Sequence, residues 1–248
     1  ADQGFDSVTI RNLLNMRSGI SFSENYRNPF STVAQFYYGR QLDAYLQDIT
    51  VERPVGDTFI YQSGNTQLLA RVLRQATDTT LTGYLTEQLW QPMGMQHKAT
   101  WSTDQADGTA KAFCCLNARA RDFARLGRLY LNEGIWEGDT LLSSSWIRRS
   151  TSPQRADLAY DYYYHWWHVV DRRPVDSNYT NALAPGKRKV VRRKDEQGQL
   201  QRYVLEPQPD FFARGLYGQY IYVAPQHDLL VLRFGKDRGE FPWEVFLR

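Results

Sequence analysis

The sequence predicts an α+β fold, and three observations predict it. Apolar residues recur at helical spacing through about residues 9–150. From about 160 to 235 the period shortens, and aromatic and β-branched residues run between hairpin-like turns. Seven Trp, sixteen Tyr and twelve Phe supply the bulk for a large core. Helices first and consecutive antiparallel hairpins after are the α+β pattern.

The elements follow in order. Thr9 is a cap for a short helix running to Arg17, with Ile10, Leu13 and Leu14 on one face and Gly19 after its end. Ser31 is a cap for a second helix. Beyond it Val33, Phe36, Tyr37, Leu42, Tyr45, Leu46 and Ile49 are candidate core positions. Arg53-Pro54-Val55-Gly56-Asp57 is a turn by composition. Phe59–Asn65 joins an extended piece to a helix carrying Leu68, Leu69, Val72 and Leu73. Thr80–Trp90 is a further helix, ended by Pro92-Met93-Gly94-Met95. Another runs from about Arg119 to Asn132 on Phe123, Leu126, Leu129 and Tyr130, followed by a turn at Trp136-Glu137-Gly138 and a short helix over Ser143–Ser150. Tyr160–Val170 reads as a strand. Val190–Lys194 and Leu200–Leu205 read as a hairpin around Asp195–Gly198, and Leu216–Val223 pairs with Leu229–Phe234.

The 248 residues carry a net charge of +3, with 42% hydrophobic and 23% charged residues, which is the balance of a soluble globular chain. No stretch approaches the ~20 consecutive apolar residues of a membrane span. The start, Ala-Asp-Gln-Gly-Phe-Asp, has no Met and no signal-peptide pattern, and Pro242–Arg248 reads as a helix beginning. With no clean linker or repeat, the expectation is one domain over 1–248, truncated at both ends. The adjacent Cys114 and Cys115 cannot staple distant parts of the fold. His165 and His168, three apart on an expected strand, would face opposite sides and so share no metal. The Trp166-Trp167 pair reads as packing. Residues 187–194 hold six positive charges in eight positions. No nucleic-acid module accompanies them, so a solvated hairpin arm is the reading, with polyanion binding as its rival.

The stretch Tyr61-Gln62-Ser63 can place two hydroxyls in one cleft at a loop–helix junction. A tyrosine of ordinary pKa, ~10, is a poor base at neutral pH, but a neighbouring ammonium group would let it shuttle a proton. By itself the pattern is read as a core Tyr beside a capping Ser.

Residues 8–22, 59–95, 114–138, 162–169 and 211–235, in that order and spacing, resemble the serine β-lactamase and penicillin-binding-protein superfamily. Tyr-x-Ser in place of Tyr-x-Asn resembles its 6-aminohexanoate-dimer hydrolase branch, related to class C β-lactamases and family VIII esterases. The resemblance implies a β-lactamase/transpeptidase-like fold: an antiparallel sheet flanked by helices, a helical lobe, and a catalytic cleft between lobes. It implies acyl transfer from a small-molecule amide or ester to water, without metal or organic cofactor. Tyr61 would be the proton shuttle. Ser63 would hydrogen-bond the substrate or a catalytic Lys. Ala213-Arg214-Gly215 would be the third motif, with Gly215 allowing close approach and the Leu216 amide giving one oxyanion donor. Asn117 would line the cleft or cap the next helix, and Asp122 would be a surface or ion-paired helix residue.

Two departures matter. No Ser in the chain has a Lys three residues on, and the nearest match, Ser145-Trp146-Ile147-Arg148, ends in an Arg that cannot act as a base. The family's Ser-x-x-Lys lies upstream of the segment resembled by 8–22. Ala213 stands where β-lactamases carry Lys, which argues against a penicillinase. Arg214, one position on, is a candidate substitute anion anchor, but on a strand it would point to the other face, which favours a solvated sheet residue. The readings are therefore a hydrolase whose nucleophile lies outside this chain, or a catalytically inactive relative that binds peptides or peptidoglycan fragments. Oligomeric state and compartment, bacterial cytoplasm or periplasm, stay open; export rests on the resemblance alone.

Overall fold

The computed structural model describes residues 3–152, 162–176, 189–195 and 197–240. The chain divides into two compact units, residues 1–122 and 123–248.

The first unit is helical. Thr9 caps α1 (Ile10–Leu14) through a reciprocal pair of bonds with Asn12. Ser31 caps α2 (Thr32–Tyr38), and Gly39–Gln41 separates it from α3 (Leu42–Gln47). The positions expected after Ser31 form the core: Val33, Phe36, Leu42, Leu46 and Ile49 cluster with Ile20 and Phe22. Phe22 and Phe36 meet edge to face at 5.0 Å. Then come α4 (Ser63–Thr77) and α5 (Leu81–Leu85), the latter capped by Thr80. The single helix expected over Thr80–Trp90 changes pitch at Thr86, where Thr86–Trp90 forms a π turn. The buried face of α4 is polar and small: Ser63, Gly64, Asn65, Gln67 and Ala70. Val72, from the expected apolar set, is 38% exposed. Two short strands, β1 (Thr100–Trp101) and β2 (Leu116–Asn117), pair antiparallel.

α6 (Ala120–Leu131) runs across the division. In the second unit a hairpin of β3 (Ile135–Trp136) and β4 (Asp139–Thr140) turns at Glu137-Gly138, both at positive φ. Ser143 caps α7 (Ser144–Thr151). The main sheet holds β5 (Tyr162–Tyr163), β6 (Trp166–Val175), β7 (Lys189–Lys194), β8 (Leu200–Gly215), β9 (Gln219–Ala224) and β10 (Leu229–Arg233). Its order is β10-β9-β8-β6-β5, with β7 also on β8, and every pairing is antiparallel. Alternation sets the two faces. Phe211 and Ala213 join Trp166, Val223 and Leu230 on one, with Tyr130 and Leu131 of α6. Phe212 joins Val169, Tyr220 and Tyr222 on the other.

Three expectations are corrected here. The strand expected over Tyr160–Val170 folds back on itself, because Tyr164 and His165 take φ of 47° and 66° and make a two-residue turn between β5 and β6. The strand expected from Leu200 to Leu205 continues to Gly215. The strand expected from Leu216 begins at Gln219, and residues 216–218 form its turn. The expected helix at Pro242–Arg248, the start of the basic run at Lys187-Arg188 and the first two residues of the Tyr160 strand lie outside the described residues.

Candidate active site

In the first unit the candidate residues sit at the start of α4. The extended segment before it is pinned by the Ile60 amide, which donates to the Met16 carbonyl at 2.9 Å. The buried Gln62 side chain donates to the carbonyls of Phe22 (2.6 Å) and Ile20 (3.3 Å). Tyr61 therefore leaves a fixed backbone, and its side chain is 42% exposed. Gln62 makes no side-chain cap bond to α4. The cap comes instead from Glu24, 39 residues away: the Ser63 amide donates to Oε2 at 2.9 Å and the Ser63 hydroxyl to Oε1 at 2.6 Å. A carboxylate at the first turn of a 15-residue helix also faces the positive end of its dipole. Below this, Ser18 Oγ donates to Asn65 Oδ1 at 2.5 Å in a fully buried contact. Gly64 leaves the space that Phe22 fills; a Cβ there would lie 2.6 Å from the Phe22 ring.

Glu24 also receives the Tyr26 hydroxyl, at 2.8 Å. Burial, then the Glu24 bond and charge, push the Tyr26 pKa up. Tyr26 is therefore held as a protonated donor, unsuited to be a base. Tyr26 leads through Tyr37 (5.9 Å between rings) to Phe113 (5.0 Å, edge to face), one residue before the cysteines. Neither Glu24 nor Tyr26 stood out in the sequence. The only signal was Ser-Glu-Asn-Tyr following the segment at 8–22.

Cys114 and Cys115 form a disulfide with each other. The reading that they bind no distant segments holds, but the bond itself was not foreseen. Asn117 lies exposed on β2, and its amide donates to the Cys115 carbonyl at 3.1 Å. It does not cap α6, which begins three residues later. Asp122 is not a surface residue: it is wholly buried, accepts the Gln96 amide at 2.8 Å and lies 3.3 Å from His97 Nδ1.

In the second unit Gly215 ends β8, paired to Gln219. Its φ is not left-handed, and a Cβ there would stand 3.1 Å from that of Gln219, so the glycine leaves only a small space. Leu216 is exposed in the turn that follows. This turn is clamped from both sides. Arg233 donates to the carbonyls of Tyr217 (3.0 Å) and Gly218 (2.5 Å) and to Asp237 O (2.8 Å). Gln219 Nε2 donates to the Leu216 carbonyl at 3.0 Å and also to Gly235 O. Gly218 takes φ 74°, and a Cβ would meet the Arg233 guanidinium at 2.8 Å. Arg233 and Gln219 were not singled out in the sequence, because only the turn geometry gives them a role. Arg214 is exposed, as expected, but its guanidinium stacks over Trp167 at 4.5 Å.

His165 lies in the β5–β6 turn and not on a strand, so the alternation argument does not apply to it. Burial lowers the pKa of both His165 and His168 to about 4, with the Tyr163 backbone opposing this at His168. Trp166 packs in the core and Trp167 meets Tyr162 edge to face at 4.9 Å, so the pair is packing. Among the described residues no three His, Cys, Asp or Glu side chains gather as a metal site, and no helix is long and apolar enough to cross a membrane.

The Beta-lactamase family pattern matches residues 1–241. The curated 6-aminohexanoate-dimer hydrolase of Paenarthrobacter ureafaciens is 29% identical over 154 residues, which span 58% of this chain and 39% of that one. The structure of a putative 6-aminohexanoate-dimer hydrolase from Bacillus anthracis superposes with a TM-score of 0.71 at 24% identity, over 98% of this chain and 59% of that one. A putative β-lactamase from Bacteroides dorei gives 0.53 at 16% identity, over 90% and 64%. The chain thus spans 39% of the curated relative and 59% of the Bacillus anthracis chain, less than two thirds of each. Its mixed architecture, with an antiparallel sheet and flanking helices, fits those likenesses, and the chain belongs to the Beta-lactamase family.

Proposed function

We propose that the protein is a serine hydrolase that opens a small amide or ester through an acyl-enzyme, with its nucleophile and partner Lys on a segment outside this chain. One observation supports this most directly: Glu24 fixes Ser63 at the head of α4 beside Tyr61. Because the Ser63 proton is committed to Glu24, the lone pairs of Ser63 Oγ are left to accept, from an ammonium group or a substrate N–H. Two tyrosines flank this serine. Burial and then Glu24 keep Tyr26 protonated, and the resemblance assigns proton transfer to Tyr61.

The steps divide accordingly. Tyr61, as phenolate beside a Lys, takes the proton from the nucleophilic hydroxyl as its oxygen bonds the carbonyl carbon. In the second unit, the Leu216 amide, whose turn the Arg233 and Gln219 clamp holds, is the oxyanion donor that the family resemblance implies. Tyr61 then returns the proton to the leaving nitrogen or oxygen, and water repeats the sequence on the acyl group. Asn117 would contact the substrate beside the Cys114–Cys115 segment. The resemblance to 6-aminohexanoate-dimer hydrolases favours short amides.

The test is to produce the protein from its complete gene and measure intact mass with and without a fluorophosphonate probe. Hydrolysis of p-nitrophenyl esters and of the linear 6-aminohexanoate dimer is measured alongside. One adduct and turnover are expected, with Tyr61→Phe lowering kcat by about 10²–10⁴-fold. No adduct and no turnover would overturn the reading. The absence of any Ser-x-x-Lys within the 248 residues favours a second reading, an inactive binding protein, which that result would select.

A further inference from the structure

We propose that Cys114–Cys115 is a redox-modification site, a two-electron disulfide–dithiol couple that sets the conformation of the segment carrying Asn117. A disulfide between adjacent cysteines closes an eight-atom ring through the peptide linking them, so it constrains the backbone locally and nothing else. Within that ring Cys115 takes φ 70°, a region that a residue with a β-carbon enters at a cost.

The flanks are anchored independently of the sulfurs. On one side the buried Gln67 of α4 accepts the Ala112 amide at 2.8 Å and donates to the Ala110 carbonyl at 3.0 Å. Phe113 packs against Phe36 and Tyr37. On the other, Leu116 and Asn117 pair with Trp101 and Thr100. Between these anchors the Cys115 carbonyl accepts from the Ser102 amide (3.2 Å) and the Asn117 side chain (3.1 Å), and the Cys114 carbonyl accepts from Trp101 Nε1 (2.8 Å). The ring therefore fixes the orientation of three acceptor bonds, one of which orients Asn117. Both cysteines are half-buried, within reach of a small thiol.

The reductant is a dithiol. It transfers two electrons and two protons to the Sγ atoms, breaks the Cys114–Cys115 S–S bond and leaves as its own cyclic disulfide. Once the ring is open, Cys115 relaxes from positive φ, its carbonyl turns, and Asn117 loses its partner. The switch is a property of the first unit. Only its effect on turnover rests on the hydrolase reading.

The experiment uses the chain as it stands. Iodoacetamide in denaturant, read by intact mass, should add nothing before treatment with dithiothreitol under native conditions and two groups after it. Hydrogen exchange at residues 114–115 and at Ser102, whose amide donates to the Cys115 carbonyl, should accelerate by about tenfold or more on reduction and recover on reoxidation, while the anchored Ala112 and residues 42–49 stay unchanged. The double variant Cys114→Ser, Cys115→Ser should show the fast pattern with or without reductant; if it does not fold, the wild-type pair of states carries the comparison. Two alkylated cysteines in untreated protein, a disulfide that native reduction leaves intact, or identical exchange in both states would overturn the proposal. The hydrolase reading fails separately, by the probe and turnover test on the full-length protein.

Discussion

The carboxylate of Glu24 holds both the amide and the hydroxyl of Ser63, at 2.9 and 2.6 Å. A residue remote in sequence thus supplies the cap that the local sequence withholds from α4. Glu24→Ala removes two charge-assisted bonds there, and the one from Tyr26, and should lower unfolding stability by about 2–3 kcal/mol in a urea titration. Glu24→Gln keeps an acceptor oxygen and should cost less. Equal losses for the two variants would show that charge, not the bonds, holds the cap.

Arg233 makes three bonds to backbone carbonyls around the turn that bears Leu216. Arg233→Ala should therefore speed hydrogen exchange at residues 216–218 by about tenfold or more while leaving α6 protected. Arg233→Lys should not restore protection, since a single ammonium lacks the fork that spans these carbonyls.

The His168 ring is buried beside Phe211, with a pKa lowered from 6.5 to about 4. As pH falls below 6.5 the unfolded chain takes up this proton before the folded one. Stability is therefore full above pH 6.5 and declines from there down to about 4. At about 1.4 kcal/mol per unit the loss from this one group reaches at most roughly 3.5 kcal/mol. Thermal unfolding across this range should show the decline; His168→Gln should reduce it, and the remainder belongs to His165, whose pKa burial also lowers to about 4.

Phe36 is fully buried against Phe22 and Phe113 in the helical unit. Phe36→Ala should cost about 3–5 kcal/mol, measured by denaturant unfolding. A loss below about 1 kcal/mol would show that the α2–α3 cluster is not the core of this unit.

The capped helices and their core were legible because their signals are local. Thr9, Ser31, Thr80 and Ser143 each bond a backbone amide within three residues. So was the face of Arg214, since strand alternation needs only a count. The fold-back at Tyr164-His165 was not legible, because two-residue turns of this kind normally announce themselves with Gly or Asn, and here aromatic packing overrides that preference. Of the candidate site, Tyr61, Ser63, Gly215 and Leu216 were named by the family resemblance, and Asn117 was read as a cleft or capping residue; none follows from the local sequence alone. Their supports, Glu24, Gln67, Gln219 and Arg233, are polar residues whose role exists only after folding brings them to a distant backbone. Of the two alternatives for Asp122, surface or ion-paired, the structure selects the buried one beside His97; nothing local to α6 separates them, because the partner comes from residues 96–97.

Strand β8 keeps β6 along one side for most of its length, but on the other it serves β7 over residues 200–205 and β9 over 211–215. Its two partners on that side never overlap in register. The outer arm and the turn at Gly215 are therefore separable units of inheritance. Adding or removing residues in matched pairs on the three outer strands would preserve every side chain's face and leave the Gly215–Gln219 register where it is. Related chains can accordingly differ widely in arm length, and engineers can shorten or graft the arm, without retuning the turn that carries Leu216.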